Sequence, residues 1–262
     1  VAQKSSPHGA AETLEQLETR FERLAAWVAA HPLPVILVIV TLLAAGGGWE
    51  WMRSSAARRE AAAGDELDRV QTAYLQAMGA EPGAFEVPKL ANPEVEKRVR
   101  EEYVEKFRSV AAQHPGSVAA AIAWLEAANL LQAGGDAEAA LASLEKSLAE
   151  QSTNPRLAGL VHQRMGQLLE ARGDPAGAAR AYEAAGNLPE FPIRFVALAD
   201  AGRCYAQAGQ PEKALALLER VESEGQEIYP LPPHLRILLR ELRAAQPPEP
   251  SPVTSDKNDS VK

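Results

Sequence analysis

Only one cysteine, Cys204, occurs in the 262 residues, so no disulfide can form within the chain. It lies in an apolar helical pattern and reads as a small core residue, which leaves the redox compartment open. Positive charge is also short. Lys and Arg number 27 against 35 Asp and Glu, a net charge of −8, and no basic stripe with interleaved aromatics offsets it. That balance excludes nucleic acid as an expected partner. Period-two alternation is missing, which excludes a sheet protein. The histidines, His8, His31, His114, His162 and His234, are scattered with no i, i+4 pair, so metal binding has no support. No P-loop, dinucleotide-binding glycine pattern or nucleophile elbow occurs, and the many carboxylates lie on solvated helix faces. The expectation is a protein that is not an enzyme and carries no cofactor.

Charge is missing altogether from Leu33 to Trp49, LPVILVIVTLLAAGGGW. A helix needs about 20 apolar residues to cross the hydrocarbon core of a bilayer, and extension back through Trp27-Val28-Ala29-Ala30 supplies that length. Trp27, Trp49 and Trp51 flank the run, where amphipathic rings favour the headgroup region. A single transmembrane helix is expected over 32–52. An uncleaved anchor is favoured over a signal peptide because about thirty patterned residues precede the run. Ala44 and Gly48 form a small-xxx-small pair that would let two helices approach closely, although the glycines at 46–48 also suit a fraying helix exit.

Residues 1–31 form a polar tail followed by an amphipathic helix. Thr13-Leu14-Glu15-Gln16 has the form of a capping box. Leu14, Leu17, Phe21, Leu24 and Val28 then recur at steps of three and four, one narrow apolar seam. The seam must be buried against lipid, a second copy or a partner's helix. Glu12, Glu15, Glu18 and Glu22 would be repelled by anionic lipid, which favours a protein partner or self-association. Arg20 and Arg23 before the span nearly balance Arg53, Arg58 and Arg59 after it. That charge count leans slightly toward a cytoplasmic C-terminal domain without settling the orientation.

Residues 53–116 are expected to hold membrane-proximal helices. One spans 54–79, with Leu67, Val70, Tyr74, Leu75 and Met78 on its apolar face. The other starts at Pro93 and presents Val95, Val99, Tyr103, Phe107, Val110 and Ala111. From 117 to 245 helix-turn-helix units follow, with turns at Gly135-Asp136-Ala137, Gly173-Asp174-Pro175 and Gly209-Gln210-Pro211, a period of 38 and then 36 residues. Glycine suits a left-handed helix end, Asp a cap and proline a first helical position. A last helix, 234–245, faces Leu235, Leu238, Leu239 and Leu242 inward. Residues 246–262 are a polar tail with too little apolar surface to fold.

The unit residues are Trp124, Ala127, Ala128, Leu131, Ala140 and Leu144, then His162, Met165, Gly166, Leu169, Ala178 and Tyr182, then Leu198, Ala201, Gly202, Tyr205, Ala214 and Leu218. This pattern resembles the tetratricopeptide repeat, with His162 in the tryptophan slot and the terminal proline displaced to Pro155 and Pro189. The resemblance implies an all-α solenoid whose first helices line a concave groove. By the repeat register the groove holds Leu125, Asn129, Gln132, Gln163, Gln167, Glu170, Arg203 and Gln207. Amphipathic helix, single span and repeat domain together resemble the ancillary subunit family of the Sec translocon. That likeness implies a single-pass protein of the bacterial inner membrane with periplasmic repeats, binding the translocon or periplasmic chaperones. A self-associating envelope scaffold and a cytoplasm-facing adaptor are the alternatives. The amide-rich groove with one Arg differs from the lysine-rich clamps that hold C-terminal carboxylates, which counts against the adaptor.

Overall fold

The computed structural model describes residues 27, 29–81, 87–150 and 154–245, and it divides into two compact units, Val1–Arg59 and Glu60–Lys262. Nine helices and no strand occur among the described residues. They are α1 (Pro32–Ala77), α2 (Pro93–Gln113), α3 (Val118–Ala133), α4 (Ala137–Glu150), α5 (Pro155–Ala171), α6 (Pro175–Gly186), α7 (Arg194–Gln207), α8 (Pro211–Glu224) and α9 (Pro233–Ala245). The seam residues Leu14, Leu17, Phe21, Leu24 and Val28, and the C-terminal tail, lie outside the described residues.

In the first unit the glycines at 46–48 continue helix α1 and do not end it. Thr41, the one hydroxyl of the uncharged run, donates to the Leu37 carbonyl at 2.7 Å. Leu33, Leu37, Leu43 and Trp51 are 80, 69, 70 and 70% exposed. Among the described residues no helix is long and apolar enough to cross a membrane. The span expected over 32–52 is therefore unsupported: a helix is present there, but the side chains at 34–36, 38–39, 42, 44–45, 47 and 49–50 lie outside the described residues.

The second unit is a stack of helix pairs. Residues 60–77 of α1 pair with α2 as an irregular first unit, whose core joins Ala63 and Leu67 to Tyr103, Phe107 and Val110 and to the alanine face of α3. Glu60 accepts from the Val118 N–H at 2.9 Å and Glu66 bonds His114 at 2.8 Å, fixing this unit to the start of α3. Leu125, Leu144, Val161 and Leu168 fill the next layer. The last layer runs from Tyr182 through Phe195, Leu198 and Leu218 to Leu235 and Leu239 of α9.

Turn chemistry sets the stacking period. Gly135, Gly173 and Gly209 adopt φ of 85°, 77° and 70°, a region costly for residues with a Cβ. After each, the next N–H reaches back to the helix: Asp136 to Leu131, Asp174 to Leu169 and Gln210 to Tyr205, at 2.9 to 3.0 Å. This satisfies carbonyls that a helix end otherwise leaves open. Asp136 and Asp174 then cap the following helices, accepting from Ala139 at 3.0 Å and Gly177 at 2.8 Å. Gln210 makes no such bond.

The small repeat positions are where helices touch. Ala127, Ala128, Ala140, Ala178, Ala201, Ala214 and both Gly166 and Gly202 are buried, as are the large fillers Leu144, Tyr182, Leu198, Tyr205 and Leu218. A Cβ on Gly166 would lie 2.5 Å from the Tyr182 ring. Trp124 and His162 are half-buried in the same slot of successive units, and Lys146 covers the Trp124 ring at 4.3 Å. His162 lines an open cleft of about 320 Å³ together with Met165, Leu169 and Arg180.

Candidate protein-binding groove

The first helices of the three units are α3, α5 and α7, and α5 touches α7 directly. Of the eight residues assigned to the groove, Gln132, Gln167 and Gln207 are exposed. Gln167 accepts from Arg164 at 3.1 Å. Asn129 is half-buried and donates to Glu126 at 3.3 Å; Glu126 also accepts from Gln71 of α1 at 3.4 Å.

Two assignments are corrected. Leu125 is only 6% exposed and packs with Leu144, Val161 and Leu168, so it belongs to the core between the first two repeats. An apolar side chain at a helix seam gains by turning toward its neighbour, at roughly 25 cal/mol per Å² removed from water. Gln163 is 7% exposed, a buried amide and not groove surface. Among the described residues none donates to its Oε1. An unsatisfied buried acceptor of this kind costs about 1–3 kcal/mol.

The remaining pair comes together across the repeats. Arg203 donates Nη1 and Nη2 to the two oxygens of Glu170 at 2.6 and 2.9 Å, a bidentate bond between α7 and α5. Tyr182 of α6 donates its hydroxyl to Glu170 at 3.2 Å. Arg203 also meets Asp200 at 3.4 Å. Bonding to Arg203 holds the Glu170 carboxyl below its usual range, and that bond raises the guanidinium in turn. Burial raises the Tyr182 hydroxyl, with the Glu170 charge adding to it. Burial also pushes the Asp200 carboxyl up, opposed by Arg203 and by the Gln163 amide beside it.

The ion-paired arginine decides what the groove can do. Arg203 spends its fork on Glu170, so it is not a free cation for an incoming carboxylate. Asp200 and Tyr182 belong to the site and were missed by register alone. Asp200 stands one turn before Arg203 on the same helix face, a spacing that pairs opposite charges and could have drawn attention to it. Below this cluster Cys204 is buried, and burial pushes its thiol up to about 11. No group of His, Cys, Asp and Glu suited to a metal ion occurs among the described residues.

Residues 169–230 match the family model for the tetratricopeptide repeat, a stretch covering the end of α5 through α8. No curated protein matches the sequence significantly. Similar solved structures include a putative kinesin light chain with nearly identical TPR-like repeats from Podosopora anserina, at 19% identity and a TM-score of 0.41 over 57% of this chain and 88% of that one. The Pseudomonas aeruginosa pilF structure is 18% identical with a TM-score of 0.43, covering 68% and 69% of the two chains. The MamA protein is 16% identical with a TM-score of 0.40, covering 68% of this chain and 100% of that one. The stretch 169–230 is thus similar to the tetratricopeptide repeat, and the described helix pairs form an all-α solenoid of that type.

Proposed function

We propose that the protein is a membrane-tethered, non-enzymatic interaction module of the bacterial inner membrane, with its repeats in the periplasm, recruiting partners or chaperones near the Sec translocon. The observation that carries the interaction role is the succession of first helices α3, α5 and α7, on which Gln132, Gln167 and Gln207 stand exposed. Tethering rests on the uncharged run Leu33–Trp49 and on the exposed Leu33, Leu37 and Leu43 along it. The periplasmic side and the translocon rest on the resemblance of the layout to the ancillary subunit family. A reporter fused to the C-terminus and active on only one side of the membrane tests the orientation. Crosslinking in native membranes followed by co-purification tests the partners. Recovery of neither translocon nor chaperone subunits removes that part of the proposal.

The seam from Leu14 to Val28 favours a second reading, a self-associating envelope scaffold. In that case Leu17→Glu with Phe21→Glu dissociates the detergent-solubilised oligomer; a variant with unchanged mass sets it aside. A cytoplasm-facing adaptor for carboxylate-terminated tails is disfavoured, because the one groove arginine is already paired with Glu170.

A further inference from the structure

The last helix carries a row of like charge. On α9, Arg236, Arg240 and Arg243 recur at helical spacing, so the three guanidiniums share one face. In a chain of net charge −8 this is a local reversal of sign. The row lines a cleft of about 460 Å³ together with Pro233, Ile237 and a single carboxylate, Glu222 of α8. Arg243 is engaged there: its Nε and Nη2 donate to Glu219 and Glu222 at 2.9 and 2.8 Å. Arg236 and Arg240 are exposed, and among the described residues neither meets a carboxylate. Beside them Ile237 is 48% exposed. Helices α3, α5 and α7 are each followed by a second helix packed against them, whereas none follows α9 among the described residues.

We propose that the arginine row of α9 is a docking site for an acidic helical segment of a partner protein. Two carboxylates one turn apart on that segment meet Arg236 and Arg240, and an apolar side chain lies against Ile237. The site is outside the succession α3, α5 and α7, so it goes beyond the groove reading and does not depend on it. Arg243 shows the chemistry within the chain, since it already holds two carboxylates from one face of α8. Arg236 and Arg240 continue the row with their forks uncommitted, and a guanidinium fork matches a carboxylate. The row is arginine without lysine, and arginine is the cation enriched in protein interfaces. A bilayer surface fits it less well. A helix lying on lipid needs a broad exposed apolar face, whereas Leu235 and Leu239 are buried in the repeat core, Leu238 and Leu242 pack against that core, and Ile237 alone stands exposed among the large apolar side chains of α9.

The test uses the full chain in neutral detergent and three fluorescent helical peptides of Ala and Gln with one Leu, identical except that two positions one turn apart hold Glu, Gln or Lys. Anisotropy gives each Kd, and a photoreactive group beside the Leu marks where the peptide lies. The Glu peptide is expected to bind about fivefold tighter than the Gln peptide, the yield of two partly exposed ion pairs, and the Lys peptide more weakly than either. Added NaCl erases that preference, and crosslinks fall on α8 and α9. Arg236→Gln combined with Arg240→Gln abolishes the preference and leaves Tm unchanged, because neither side chain has an ion pair in the fold to lose. Equal affinity of the Glu and Gln peptides overturns the proposal. Crosslinks confined to α3, α5 and α7 overturn the α9 site and leave the groove reading standing. Vesicle binding that requires phosphatidylglycerol and both arginines, with no preference among the peptides, assigns the row to a lipid surface and overturns it too. A Glu preference that emerges only after residues 246–262 are removed shows the chain's own tail on the row, and likewise overturns the proposal.

Discussion

In the second repeat Gly166 lets the Tyr182 ring lie where a Cβ would be, at 2.5 Å, whereas in the third Gly202 faces the branched tip of Leu218 at 2.9 Å. The second repeat opens its second helix with the bonded cap Asp174, the third with the unbonded Gln210. The tryptophan slot holds a half-buried His162 in one and a fully buried Leu198 in the other. At these three positions the second repeat uses an aromatic ring, a bonded cap and an imidazole, and the third uses leucines and an unbonded cap, although its own buried ring, Tyr205, is tied to Glu183 at 2.6 Å. One plan of helix pairs tolerates both, because each repeat contacts mainly its neighbours and local solutions need not agree.

The largest effect expected from breaking this comparison is at the small positions. Gly166→Ala should lose about 2–3 kcal/mol in urea unfolding, since the buried Tyr182 ring is also tied to Glu170 and has nowhere to move. Gly202→Ala should lose less, about 1–2 kcal/mol, because its Cβ would overlap Leu218 by less, at 2.9 Å. Equal losses would show that the ring is not the limiting contact. Next in size are the caps. Asp174→Ala should cost about 1 kcal/mol and Gln210→Ala almost nothing. Gln210→Asp sharpens the contrast, with a gain of about 0.5 kcal/mol expected if the third turn accepts the bond already made in the second.

The smallest effect is on pH dependence. Burial lowers the His162 imidazole from its ordinary value of 6.5, so below that value the unfolded chain takes up the proton more readily than the folded one. Stability should therefore fall as pH drops through the ordinary histidine range. His162→Leu, which copies the third repeat, should flatten that part of the profile measured by thermal unfolding from pH 7.5 to 5.5. An unchanged slope would place the titration elsewhere.

The features legible in the sequence are the ones set by short-range chemistry. Gly173-Asp174-Pro175 announces a turn because each residue answers a local backbone demand, and the structure has each in that role. The alanine and glycine slots were legible because only small residues allow helices to approach there. Groove depth was not legible. Register says which face of a helix Leu125 and Gln163 occupy, but whether that face is covered depends on the neighbouring repeat. The Glu170–Arg203 bond joins residues 33 positions apart, and no local pattern reports such a pairing. Ala63 was overlooked on α1 because an alanine adds little to an apolar stripe, yet it is fully buried in the core it shares with α2 and α3.

Cys204 is the chain's single thiol, fully buried with its acidity shifted to about 11. At neutral pH burial keeps the thiol in its unreactive protonated form. To maleimides and spin-label reagents the native fold therefore behaves as a cysteine-free protein. A cysteine introduced at an exposed position such as Gln207 becomes a unique attachment point, and distances along the repeat stack can be read without first removing the natural residue.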